Sequence, residues 1–245
     1  MLPGTVLPAR QAYEPLVAVL GDRVDAAVKD LELYRDAEPP AEYSLALEAE
    51  GVLVEADRRG FECFHLVGDS GGAAAGLVFA ATYPERLLSL ALLEPAWAGN
   101  ERTPREQALY ERFLALDGLS PEDQLLEFAR LQLAPGVDPP PPPEEPPAWL
   151  ALRPAGIRAI MRAFDEAKLD LGALRAFTQP VYFALGGRSN PDYFAQLAER
   201  LAAVFPDFTL ETFADRHHFD PPHRVEPERV AASLLALWAR AEQAH

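Results

Sequence analysis

The residues best suited to chemistry are Gly68-Asp69-Ser70-Gly71-Gly72, which fit the pattern G-x-S-x-G. An apolar run, Cys63-Phe-His-Leu-Val67, precedes them, and a small-residue stretch, Ala73-Ala-Ala-Gly-Leu-Val-Phe-Ala-Ala-Thr82, follows. Together they read as a strand turning abruptly into a helix at Ser70. Such a turn strains the backbone at the serine and brings strand and helix close together, so glycine is needed on either side. It also sets the serine at a helix N-terminus, where free N–H groups and the positive dipole end favour a developing oxyanion. The chemistry expected is attack by Ser70 on a carbonyl carbon, with the Gly71 N–H as one oxyanion donor.

A serine hydroxyl is a poor nucleophile unless a base takes its proton and a third group orients that base. The five histidines are His65, His217, His218, His223 and His245. Three fall in Ala214-Asp-Arg-His-His-Phe-Asp-Pro-Pro-His223, a loop after the last expected strand. In a parallel sheet that loop leaves the same carboxyl edge as the serine turn. His218 is favoured as the base and His217 is the close rival; His223 is expected to line the loop or face solvent. Two acids compete for the third place. Glu94 ends the apolar run Leu87-Leu-Ser-Leu-Ala-Leu-Leu93, and Asp192 follows the next strand at a helix start. Glu94 is preferred, because otherwise it is an acid at a buried edge with no evident partner. The turn Pro3-Gly4-Thr5 is placed to supply a second oxyanion donor, the Thr5 N–H.

The pentapeptide alone has little specificity, and Gly-Asp-Ser-Gly-Gly is also the serine motif of trypsin-like proteases. Those are disulfide-bonded β-barrels whose histidine and aspartate precede the serine. Here a helix follows the serine, the chain has one cysteine, and the only earlier histidine is His65, within the strand. The protease reading fails on context.

The 245 residues suffice for one sizeable core with an accessory lid. Lys and Arg number 22 against 38 Asp and Glu, a net charge of −16 that disfavours nucleic acid and anionic membranes as partners. Cys63 excludes an intrachain disulfide, suits a reducing compartment and is expected to be buried and inert. No apolar run reaches the roughly 20 residues that span a bilayer, and the N-terminus has no signal-peptide pattern. A cytoplasmic location is expected; oligomeric state is not legible. No cofactor or metal is implied, and the expected partner is a small-molecule substrate.

Helical spacing covers Tyr13 to Leu20, and a helix capped by Ser44 runs to about Arg59. Val24 to Leu31 reads as a strand. After about Ala96 the alternation of strand and helix breaks. Helices are expected over 104–116 and 120–133, then an extended, solvated proline-rich run over 135–147, then a helix bearing Ile157, Ile160, Met161 and Phe164. Alternation resumes with strand 180–185, a helix over 192–204, strand 208–213 and a final helix through Trp238. The fold class is therefore α/β: a mostly parallel sheet with helices on both faces and an inserted helical cap. Residues 1–97 and 173–245 form the core and 98–172 the cap.

Leu2-Pro-Gly-Thr, His65-Leu-Val-Gly-Asp-Ser-Gly-Gly, Pro84-Glu-Arg-Leu-Leu-Ser-Leu, Leu92-Leu-Glu-Pro and the His218 loop together resemble the α/β-hydrolase superfamily. The order serine, acid, histidine matches that family, and the acid's place resembles members with a glutamate on the strand after the serine helix. The family's usual His-Gly appears as Pro3-Gly4, which leaves backbone donation intact. Against that resemblance the first strands of the fold are missing, and a shortened or mis-set start is expected. The resemblance implies a cofactor-independent hydrolase acting on a small ester, thioester or related acyl substrate. The alternatives are a C–C hydrolase or lyase using the same triad, and a non-catalytic binding protein on this fold.

Overall fold

The strands β1 (Phe64–Asp69), β2 (Leu87–Leu93), β3 (Val181–Gly186) and β4 (Phe208–Phe213) form one parallel sheet in chain order. This is a computed structural model, and it describes residues 1–141 and 143–244. Gly68 pairs with Leu92, Leu92 with Phe183, and Gly186 with Phe213, so the carboxyl ends of the strands are aligned. Loops leaving those ends share one edge, where the site forms.

Side chains alternate between the two faces of the sheet. Leu66, Leu90, Leu92, Val181 and Phe183 pack on one face against α2 (Leu45–Arg59), α3 (Ser70–Thr82) and the later helices α6 (Arg153–Glu166), α7 (Leu171–Ala176) and α8 (Gln196–Ala202). Val67, Ala91, Leu93, Tyr182, Ala184 and Phe213 pack on the other, against α1 (Ala9–Leu20) and α10 (Pro227–Ala244). Burial on both faces explains why β2 reads as an almost continuous apolar run. β4 is an edge strand, with Leu210 exposed. The expected α/β class and parallel sheet are what the chain adopts.

Between β2 and β3 lie α4 (Pro104–Leu114), α5 (Pro121–Leu131), α6 and α7. Leu109, Phe113, Leu116, Phe128, Leu131 and Ile157 make a small core of their own. Local signals start these helices as expected. Thr103 and Glu106 form a reciprocal capping box on α4, and Ser120 Oγ accepts the Asp123 N–H on α5. The proline-rich run 135–147 contains neither helix nor strand and is mostly exposed, apart from Pro142, which lies outside the described residues. Its solvation is only partial, because Pro140, Pro143 and Pro147 line a cavity.

Four expectations are corrected. Val24 to Leu31 is not a strand. Val24 is extended, but among the described residues no strand lies beside the segment; Met1 accepts the Lys29 N–H at 3.1 Å and donates its amino group to Ala27 O at 2.6 Å. An extended segment without a ladder beside it cannot become a strand. Ahead of β1, the described residues pair with the sheet only where Leu2 forms a parallel bridge with Gly68. The helix expected over 192–204 opens with a π-type turn, Pro191–Ala195, before α8. Cys63 sits just ahead of β1 and is half-buried rather than buried, with Sγ 3.5 Å from Glu85 O. The fourth concerns His223, at the site. Among the described residues, no helix is long and apolar enough to cross a membrane.

Candidate active site

Ser70 is the first residue of α3, directly after β1, and its φ is +49°. Among described residues other than glycine, only Glu94, at +45°, shares a positive φ. Such backbone is costly for residues with a Cβ and persists only where the surroundings enforce it. The flanking glycines supply the necessary closeness. A Cβ on Gly68 would lie 2.6 Å from Gly72 O, and one on Gly72 would lie 2.6 Å from both Leu2 Cβ and Pro3 O. No side chain fits between β1, α3 and the Leu2–Pro3 segment.

His218 Nε2 lies 3.0 Å from Ser70 Oγ, and His218 Nδ1 lies 3.0 Å from Glu94 Oε2. All three residues are buried. Glu94 Oε1 accepts the Gly186 N–H at 2.7 Å, which ties the carboxylate to the end of β3. With Glu94 ionised, its oxygen accepts the Nδ1 proton and the Nε2 lone pair faces the serine hydroxyl. The Phe194 ring stacks on the His218 ring at 4.5 Å, with 19° between their planes, and fixes its tilt. Phe194 falls within the helix expected over 192–204, where nothing in the sequence marks it for this part.

The other candidates go elsewhere. Asp192 is exposed and pairs with Arg105 at 3.0 Å. His217 Nδ1 accepts the Phe219 N–H at 3.2 Å, and burial lowers its pKa. His65 faces Ser89 Oγ at 2.8 Å and stacks on Trp238.

Thr5 is buried beside Gly71, so that a Cβ on Gly71 would lie 3.0 Å from Thr5 Cγ2. Four carbonyls around Thr5, those of Leu2, Pro3, Thr5 and Val6, are occupied. Leu2 O accepts from Asp69 N–H and Tyr13 OH, Pro3 O from Gly72 N–H, Thr5 O from Tyr34 OH at 2.6 Å, and Val6 O from Arg153 Nε at 2.7 Å. The Thr5 N–H has no acceptor among the described residues. Gly71, in the first turn of α3, has none within its helix. Two free donors therefore stand next to Ser70. Tyr34 and Arg153 carried no sequence signal for this part.

A cavity of about 390 Å³ opens onto Ser70, lined by Gly4, Thr5, Asp69 and His218 together with Trp149 and Leu150 from the interposed segment. Asp69 is the N-cap residue of α3, yet its side chain makes no capping bond. Desolvation pushes its pKa up to about 7, opposed by the charges of His218 and Arg224. His223, expected to line the loop or face solvent, does not face solvent: it lies fully buried at the cavity wall against Tyr13. Neither ring nitrogen has a partner among the described residues. Burial lowers its pKa to about 3, so the ring is neutral. The four-residue helix α9 (Pro222–Val225) turns it inward. No group of three or more His, Cys, Asp or Glu among the described residues is placed to hold a metal ion.

Solved structures with the same architecture cover nearly the whole chain. A thermophilic esterase from Thermogutta terrifontis matches with a TM-score of 0.72 at 18% identity, over 98% of this chain and 88% of that one. The chain has the α/β-hydrolase fold. Carboxylesterase CesB from Bacillus subtilis matches with a TM-score of 0.65 at 19% identity, over 97% of this chain and 81% of that one. A meta-cleavage product hydrolase matches with a TM-score of 0.65 at 15% identity, over 98% and 90%. No protein-family model matches the sequence, and no curated protein is significantly similar to it. On the α/β-hydrolase fold, Ser70, Glu94 and His218 stand at the carboxyl ends of successive strands and in the last loop.

Proposed function

We propose that the protein is a cofactor-independent serine hydrolase of small carboxylic esters, thioesters or related acyl compounds. The observation that carries this reading is the continuous hydrogen-bonded chain Ser70 Oγ–His218–Glu94, with each contact at 3.0 Å. His218 Nε2 takes the hydroxyl proton as Ser70 Oγ attacks the carbonyl carbon. The resulting oxyanion is held by the Gly71 and Thr5 N–H groups, at the positive end of α3. Collapse of the adduct expels the alcohol or thiol, which leaves with the proton from His218. Water, deprotonated by the same imidazole, then releases the acid and restores Ser70. Glu94 keeps the proton on Nδ1 and balances the imidazolium.

The esterases among the structural neighbours are in keeping with this reading, as is the small, largely apolar cavity. The likeness to a meta-cleavage product hydrolase favours C–C hydrolysis as the second reading, since it requires the same serine and base. The test is hydrolysis of p-nitrophenyl esters from acetate to octanoate by the protein and by Ser70→Ala. Turnover that the substitution abolishes supports ester hydrolysis. A Ser70 that reacts with an acyl-transfer probe, but turns over no ester, would favour the C–C reading. An unreactive Ser70 in folded protein would leave a binding protein on this fold.

A further inference from the structure

Arg153 is a buried cation that no carboxylate contacts among the described residues, although the charge of Asp30 acts on it from farther away. It begins α6 in the interposed segment, is 3% exposed, and makes no ion pair among the described residues. A lone charge in that position is costly unless other groups replace its water. The replacements are specific. Nε donates to Val6 O at 2.7 Å, the guanidinium lies over the Tyr34 ring at 3.8 Å, and the Trp149 ring is 4.8 Å away. Tyr34 in turn donates its hydroxyl to Thr5 O at 2.6 Å. Its ring is locked under α6, because a Cβ on Gly156 would fall 2.3 Å from the Tyr34 hydroxyl oxygen.

These contacts converge on one peptide group. The Thr5 N–H belongs to the Gly4–Thr5 peptide, and Gly4 leaves that plane free to rotate. The plane before it is tied through Pro3 O to the Gly72 N–H, on the rigid start of α3. The plane after it is tied through Thr5 O to Tyr34, and the next through Val6 O to Arg153. The Gly4–Thr5 peptide is thereby held from both sides.

We propose that Arg153 and Tyr34 are positioning residues that lock the Thr5 N–H toward the reacting oxygen and make that donor depend on the seating of α6. The inference rests on the serine-hydrolase reading above. Trp149 lines the cavity and also faces the guanidinium, so a substrate pressing on Trp149 is felt at Val6 through one side chain. A displaced α6 would release the Val6 carbonyl and unlock the Tyr34 ring that holds the Thr5 carbonyl, and so let the donor turn away. The hydrolase would then be competent only with the interposed helices closed.

The test compares wild type, Arg153→Met, Arg153→Lys and Tyr34→Phe in kcat and KM for one p-nitrophenyl ester, normalised to sites titrated by a fluorophosphonate. Affinity for an alkylboronic acid, whose tetrahedral adduct puts an oxygen in the same place, is measured alongside. Arg153→Met is expected to lower kcat per site by about 10- to 100-fold with KM nearly constant, weakening the boronate in proportion. Tyr34→Phe should do the same to a smaller degree. Arg153→Lys should recover part of the loss, since an ammonium can reach Val6 O but cannot stack as a plane. A role confined to folding would lower the titre and leave per-site kcat and boronate affinity unchanged. That outcome, or a loss confined to KM, overturns the proposal. If Arg153→Met does not fold, Arg153→Lys and Tyr34→Phe decide by the same criteria. A wild type that the fluorophosphonate does not label refutes the underlying reading instead.

Discussion

Glu94 meets His218 Nδ1 at 3.0 Å from a backbone held at φ +45°, just as Ser70 meets Nε2 from a backbone at +49°. The two strained residues thus grip one imidazole from opposite nitrogens. Glu94 gains its place from the end of β2, where its own N–H donates to Ala184 O and Gly186 N–H fixes its carboxylate.

The acid can be identified by amide substitution. Glu94→Gln keeps the shape but offers an NH₂ or an uncharged oxygen to Nδ1, so kcat is expected to fall by about 10³- to 10⁴-fold. Asp192→Asn removes only an exposed pair with Arg105 and should change kcat by less than about twofold. Steady-state rates of the two variants decide between the acids. A larger loss in Asp192→Asn would reverse the assignment.

The serine turn tolerates no added carbon at Gly72. Gly72→Ala places a methyl 2.6 Å from Leu2 Cβ and from the Leu2 and Pro3 oxygens, all on fixed backbone. The expected cost is about 2 to 3 kcal/mol, or a Tm lower by roughly 5 to 10 °C. Gly118→Ala, where nothing lies within 4 Å, is the control and should leave Tm nearly unchanged. Equal melting temperatures would contradict the packing described.

Two cavity residues give opposite pH dependences to stability. His223 has its pKa lowered to about 3 by burial, so the folded protein binds fewer protons than the unfolded chain below the ordinary value of 6.5. Its contribution is full above pH 6.5 and is lost as pH falls toward 3. Asp69 has its pKa raised to about 7, so its contribution is full below about 3.8 and is lost as pH rises through 7. Urea midpoints from pH 4 to 8 should show Asp69→Asn gaining on wild type as pH rises. His223→Gln should gain on wild type as pH falls. Parallel curves for either variant would refute the corresponding assignment.

What was legible in the sequence followed from how few residues could fill each place. A serine between glycines, one histidine-bearing loop after the last strand and an acid closing an apolar run leave little choice once the sheet is parallel. The supporting groups were hidden because their context points the other way. Arg153 precedes Pro154 at a helix start, where a basic residue is ordinarily solvated, and its burial depends on Val6, Tyr34 and Trp149. His223 sits among prolines and charged residues, and only the inward turn of α9 buries it. Val24 to Leu31 has strand-like composition, but pairing is a property of neighbours, and Met1 is the neighbour that bonds to it.

The central claim is that Ser70 is a nucleophile activated by His218. A fluorophosphonate probe, followed by peptide mass mapping, measures this directly on wild type, Ser70→Ala and His218→Ala. The expected result is one adduct per chain on Ser70, absent from Ser70→Ala and formed at least about 100-fold more slowly in His218→Ala. Folded wild type that takes up no probe, or labels at another residue, would contradict it.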